Sequence, residues 1–189
     1  MTKFITPVFY KDDFDEWGRN FRDDVKNKIR KAQRSSVQIE QSDSLPGELW
    51  EQAYARKNIK PPIEVTALAK WCASLIDDSL LKIYTANIDG VPVAFRGELI
   101  SGEFAYDWLA GSNPDFHATG ANQLLMSEIG KRLVESNVKT WDLVGGQVKN
   151  VYDFKKSFGA KDAVYYQGER HFNLKGKVFS YLRKIKYGR

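Results

Sequence analysis

Phe14, Trp17, Phe21, Val25 and Ile29 recur every three to four positions, so residues 13–34 are predicted to form one amphipathic helix. Residues 37–41 alternate apolar and polar like a short strand. Ser44 can cap a helix running through Glu48 and Trp50 to about Arg56. Pro61-Pro62 then interrupts the pattern. A second helix is predicted from about Glu64 to Leu75, with Val65, Leu68, Ala69 and Cys72 on one face.

Three strands follow, separated by turn residues. Residues 80–88 lead to the hairpin signal Asp89-Gly90, residues 91–100 to Ser101-Gly102, and residues 103–109 complete an antiparallel meander. A helix over 118–136 crosses to a strand over 139–144, a connection that predicts parallel pairing with the last meander strand. A short helix over 151–161 and a closing strand within 164–173 end the series. The element order is mixed α/β, with no internal repeat, no low-complexity segment and no long linker, so one domain over residues 1–189 is expected.

Composition changes this picture little. Hydrophobic residues make up 42% and charged residues 28%, ordinary values for a globular chain with a real core. No apolar run approaches the ~18 residues needed to span a bilayer. The opening MTKFITPVFYKDD lacks the apolar stretch of a signal peptide, and Cys72 is alone, which excludes an internal disulfide. A cytoplasmic location is expected from both.

Charge adds more. The net charge is +5, and it is uneven. Lys26, Lys28, Arg30, Lys31 and Arg34 form one basic cluster, and Lys175, Lys177, Arg183, Lys184, Lys186 and Arg189 form a second in the tail 174–189. Such clusters suit a polyanionic partner such as coenzyme A, a nucleotide sugar, tRNA or acidic lipid, and equally suit solvated surfaces. No nucleic-acid-binding motif is present. Two histidines, His117 and His171, and one cysteine give no zinc spacing, so no metal is expected. The chain also lacks a G-x-S-x-G elbow, a Walker loop and a dinucleotide fingerprint.

Several segments in order carry a family resemblance. KNKIRKAQRSSVQIE is a basic helix leading into a strand. WLAGSNPDFHATGANQLLMSEI joins a strand to a helix, and WDLVGG is followed by YDFKKSFGAK. Together they resemble the GNAT acyltransferase superfamily, and within it the branch of Fem-type peptidyltransferases and single-domain acetyltransferase-like relatives. The resemblance spans about Asn27 to Phe172. It implies a central, twisted, mostly antiparallel mixed sheet flanked by helices. It also implies N-acyl transfer by direct attack of an amine, such as an amino sugar or amino acid, on an acyl-CoA or acyl-carrier-protein thioester. Acetyl-CoA is the expected co-substrate on this reading, with no cofactor held permanently and a setting in cell-envelope synthesis. Aminoacyl transfer from tRNA and a non-catalytic binding module are the alternatives. The chain departs from the family in two ways: the pyrophosphate loop is reduced to Gly120-Ala121, and there is room for one such domain where Fem-type enzymes carry two.

The candidate site follows from both lines. Helix N-termini present free N–H groups and partial positive charge to a phosphate. Thr119, Gly120 and Ala121, with His117 and Asn122, are therefore the candidate donor site, although Thr119 and Gly120 also suit a plain helix start. The resemblance places the donor's pantetheine arm beside Val144, Gly145 and Gly146, a pair of glycines that serves a tight turn equally well. It also implies that Lys155, with Lys156 second, stabilises charge near the acyl centre. Tyr152 could return a proton to a departing thiolate. Asp107 is the first candidate base, ahead of Asp142 and Glu103, since burial raises a carboxylate's pKa. Arg30, Lys31 and Arg96 are candidate contacts for an acceptor's phosphate or carboxylate.

Overall fold

A computed structural model describes residues 2–56 and 58–168. The tail cluster Lys175–Arg189, His171 and the end of the predicted closing strand lie outside the described residues. Seven strands form one sheet in the order β2-β3-β4-β5-β6-β1-β7. They are β1 (Thr2–Tyr10), β2 (Gln38–Ser42), β3 (Leu81–Ile88), β4 (Val91–Ser101), β5 (Phe104–Ser112), β6 (Thr140–Asp142) and β7 (Lys161–Gln167). All neighbours are antiparallel except β5 and β6, so the sheet is mixed and mostly antiparallel, as the resemblance implies.

Among the described residues six α-helices flank it: α1 (Lys11–Asp15), α2 (Asp23–Arg34), α3 (Gly47–Ala55), α4 (Val65–Asp77), α5 (Ala121–Val134) and α6 (Lys149–Lys156). One face carries α5, α1 and α2 over a core of Phe9, Phe14, Val25, Leu125, Met126, Ile129 and Trp141. The other carries α3 and α4 over β3–β5, with Leu49, Leu68, Ile83, Phe95 and Leu109 packed together and Cys72 buried among them. Among the described residues no helix is long and apolar enough to cross a membrane.

Two sequence expectations are corrected. The helix over 13–34 is two helices. Gly18, at φ +86°, turns the chain between them, and Trp17 and Phe21 reach the core from that turn. The N-terminal segment is strand β1, lying between β6 and β7. It is recognisable only through distant partners, since Val8 pairs with Asp142 and Thr2 with Gln167.

The feature that positions the site is the parallel pair. β5 and β6 are registered through only three residue pairs, the last being Tyr106 with Asp142. β5 then continues to Ser112 against β4, whereas the chain beyond Asp142 follows β1, with Leu143 N–H donating to Pro7 O at 2.9 Å. The strands part there, and Val144 (φ +44°) and Gly145 (φ +68°) end β6.

Candidate active site

Four ionisable side chains converge where β5 and β6 part. Asp107 of β5 is fully buried, and its Oδ2 accepts from Arg96 Nη1 of β4 at 2.5 Å and lies 2.6 Å from Lys155 Nζ of α6. Lys155 also donates to the carbonyl of Leu143, so its ammonium ties the two diverging strands together. Arg96 lies over the Phe154 ring, 5.3 Å from its centre. Glu98, two residues along β4 from Arg96, is buried, and its Oε2 accepts from the Trp141 indole at 2.7 Å.

Burial pushes the Asp107 carboxyl up, but Arg96 and Lys155 outweigh it and hold the group below its ordinary range. A carboxylate so held is a poor proton acceptor and a good counter-ion. In this structure Asp107 is the counter-ion of two cations. Arg96 is buried against Asp107. Arg30 and Lys31 are exposed on α2, and Arg30 bonds its own helix through Asn27 Oδ1 at 3.0 Å. The three residues do not form one contact surface. Tyr152 donates to Asp162 of β7 at 2.9 Å and so turns outward from the cluster. Lys156 faces the same carboxylate at 3.1 Å.

The donor-side expectation divides. Thr119 Oγ1 accepts from Ala121 N–H at 3.2 Å and donates to Phe116 O at 2.6 Å, tying the 3-10 turn Pro114–Thr119 to the start of α5. Gly120 is left-handed, at φ +81°, and a Cβ there would run into the Lys28 carbonyl of α2. The close approach that its missing side chain permits is to protein backbone. The same holds for Gly146, whose missing side chain makes room for the Ile5 carbonyl of β1. Asn122 is half-buried in the first turn of α5.

His117 has partners that the sequence did not single out. Its Nε2 lies 3.0 Å from Ser112 Oγ and 3.3 Å from Arg56 Nη1. Both are donors, which makes Nε2 the acceptor and the ring neutral. Partial burial, then Arg56 and Lys28, hold its pKa below the ordinary value. Arg56, Lys28 and His117 thus gather beside the start of α5.

The opposite sheet face holds a cavity of about 450 Å³. Period-two alternation puts Thr6, Val8 and Tyr10, Phe104 and Tyr106, and Thr140 and Asp142 on that face. Asp142 Oδ1 accepts from Val144 N–H at 2.7 Å and from the Thr6 hydroxyl.

The acetyltransferase (GNAT) domain model matches residues 19–156, most of the chain. The chain belongs to that family. Its fold is that of FemX, with a TM-score of 0.72 at 12% identity over 84% of this chain and 59% of that one. The C-terminal domain of a putative lysylphosphatidylglycerol synthetase from Agrobacterium fabrum is similar at 0.64 and 14%, over 86% and 59%. AAC(6')-Iy, solved with the bisubstrate analogue CoA-S-monomethyl-acetylneamine, is similar at 0.53 and 16%, over 72% and 100%. The chain therefore spans 59% of the length of each of the first two. None of the curated proteins compared with it matches in sequence.

Proposed function

We propose that the protein is an acyltransferase that moves an acyl group from a CoA or carrier-protein thioester to the amine of an amino sugar or amino acid. The observation that carries the reading is the Lys155 ammonium held across the parting of β5 and β6. An ammonium has three hydrogens. Asp107 and the Leu143 carbonyl engage two, which leaves one for a ligand oxygen in the gap. The amine attacks the thioester carbon, and negative charge builds on its oxygen beside Lys155. The carbon–sulfur bond then breaks, the amide forms, and the proton lost by the amine passes to the departing thiolate. Beyond Tyr106 no described strand pairs with the gap side of β5, so its backbone is free to meet the amides of a pantetheine arm. Arg56, Lys28 and the N-terminus of α5 suit the donor's phosphates. Tyr10, Phe104 and Tyr106 give the cavity on the opposite face aromatic walls for a sugar ring or apolar side chain, with Asp142 there to meet an amine.

Thermal unfolding with acetyl-CoA, longer acyl-CoAs and free CoA tests this. A donor at 100 times its Kd stabilises the native state by about 2.7 kcal/mol. Stabilisation by one thioester, followed by its consumption with an amine, is the expected result. No stabilisation by any of them would point instead to charged tRNA as donor, a reading for which the reduced pyrophosphate loop leaves room.

A further inference from the structure

Glu98 is a buried titratable group that acyl transfer, as described, does not use. It has no exposed surface. Its Oε2 takes the Trp141 indole hydrogen, and its Oε1 has no partner among the described residues. It sits directly across the strand pair from Asp107. Asp107 places both of its cations on Oδ2, and among the described residues its Oδ1 is also without a partner. Cross-strand neighbours hold their Cβ atoms about 4.5–5.5 Å apart. Two partnerless acceptor oxygens on such buried neighbours are satisfied together when one carries a hydrogen for the other.

Among the described residues no cation is bonded to Glu98. Arg96 and Lys155 are both bonded to Asp107, and Arg96 Nε, a buried donor without a partner among the described residues, bonds neither Glu98 nor the free Asp107 oxygen. Lys82, its cross-strand partner on β3, is exposed to solvent. Tyr84 of β3 is a neutral phenol that burial keeps neutral, and Arg132 of α5 lies over that ring, 5.4 Å from its centre.

We propose that Glu98 is a positioning residue that stays protonated at neutral pH, donates to the free oxygen of Asp107, and so leaves the buried cluster one net positive charge for the acyl oxygen. Arg96 and Lys155 contribute two positive charges and Asp107 one negative. An ionised Glu98 would cancel the remainder. Burial and the adjacent Asp107 raise the Glu98 carboxyl to about 8, against the opposing pull of Arg96, Trp141 and Lys155. Above that value the cluster becomes neutral and two carboxylates face each other. The assigned role rests on the acyl-transfer reading, whereas the proton itself does not.

Infrared spectroscopy of the free protein separates the two. The expected result is a protonated-carboxyl band at about pH 6.5 that fades as pH passes about 8. Glu98→Gln should lack it, and carbon-13 labelling of glutamate in the unmutated protein should shift it, so the assignment survives if the variant folds poorly. Absence of such a band overturns the proposal even if acyl transfer is confirmed. The role is read from thioester affinity, which should fall about tenfold per pH unit above about 8 in the wild type and stay level in Glu98→Gln. An alkaline fall that is identical in both overturns the role.

Discussion

Lys155 reaches Asp107 from another element, with Nζ 2.6 Å from Oδ2 and side-chain exposures of 6% and 0%. The contact bridges α6 and β5 where the sheet opens, so one ion pair both closes the fold there and presents a cation to the gap.

Lys155→Met should separate these two effects. Breaking a buried pair costs about 3–5 kcal/mol, and Arg96, which still holds Asp107, draws the expected loss to the low end. Loss of a donor to a developing oxyanion costs about 10²–10³ in rate. Urea unfolding and turnover measured on the same preparation check both. A large stability loss with turnover intact would make Lys155 a purely structural cation.

Asp107→Asn should be destabilising by about 3–5 kcal/mol near pH 7, because two buried cations lose their counter-charge. The effect has a direction in pH. The folded protein holds this carboxyl below its ordinary 3.8. Its ionised form therefore stabilises the fold above the ordinary value, and that stability is lost as pH falls through the lowered one. Urea midpoints of wild type and variant should differ most near neutrality and converge on acidification. A gap that is constant with pH would mean that Asp107 acts by shape alone.

What was legible in the sequence depended on how local the signal is. Asp89, Gly90 and Gly102 sit at positive φ values that aspartate and glycine tolerate, and their turns fix the β3–β4–β5 meander through contacts between neighbours in the chain. β1 carries Pro7 and finds its partners at the far end of the chain, so nothing around it announces a strand. The periodicity of Phe14, Trp17 and Phe21 is real, but it marks core residues on both sides of a turn at Gly18. At the site, Asp107 and Lys155 are conspicuous as residue types, whereas their mutual pairing is a product of topology. It is the pairing that makes Asp107 the anchor of two cations. Arg96 stands out as a charge inside an apolar strand, and the same signal marks Glu98 beside it. The glycines at 120 and 146 invite a reading of ligand approach because sequence cannot show which backbone lies against them.

Gly120→Ala tests that last correction. An alanine in the left-handed region costs about 1–2 kcal/mol from conformation alone. Gly90 has a similar φ, +77° against +81°, and nothing lies within 4 Å of where its Cβ would stand. Gly90→Ala therefore measures the conformational cost by itself. Gly120→Ala should lose clearly more in thermal unfolding, because the Lys28 carbonyl must move and α2 must shift against α5. Equal losses at the two positions would show that the contact with α2 carries no energy.

The last prediction concerns His117. Its ring accepts from Arg56 and Ser112, and the folded protein lowers its pKa from 6.5 through partial burial, Arg56 and Lys28. The neutral ring is thus favoured at pH 7. An anionic donor phosphate beside Arg56 would reverse the local field and favour the protonated ring, so donor binding should take up a proton. CoA affinity should then rise as pH falls through the histidine range, and His117→Gln should flatten that dependence. Arg56→Ala should weaken CoA binding and reduce its sensitivity to salt, since an exposed cation acts through a screened field. Calorimetric titrations in two buffers of different ionisation enthalpy count the proton directly. Binding with no proton uptake near pH 6.5 and an unchanged Arg56→Ala affinity would place the donor's phosphates elsewhere on the protein.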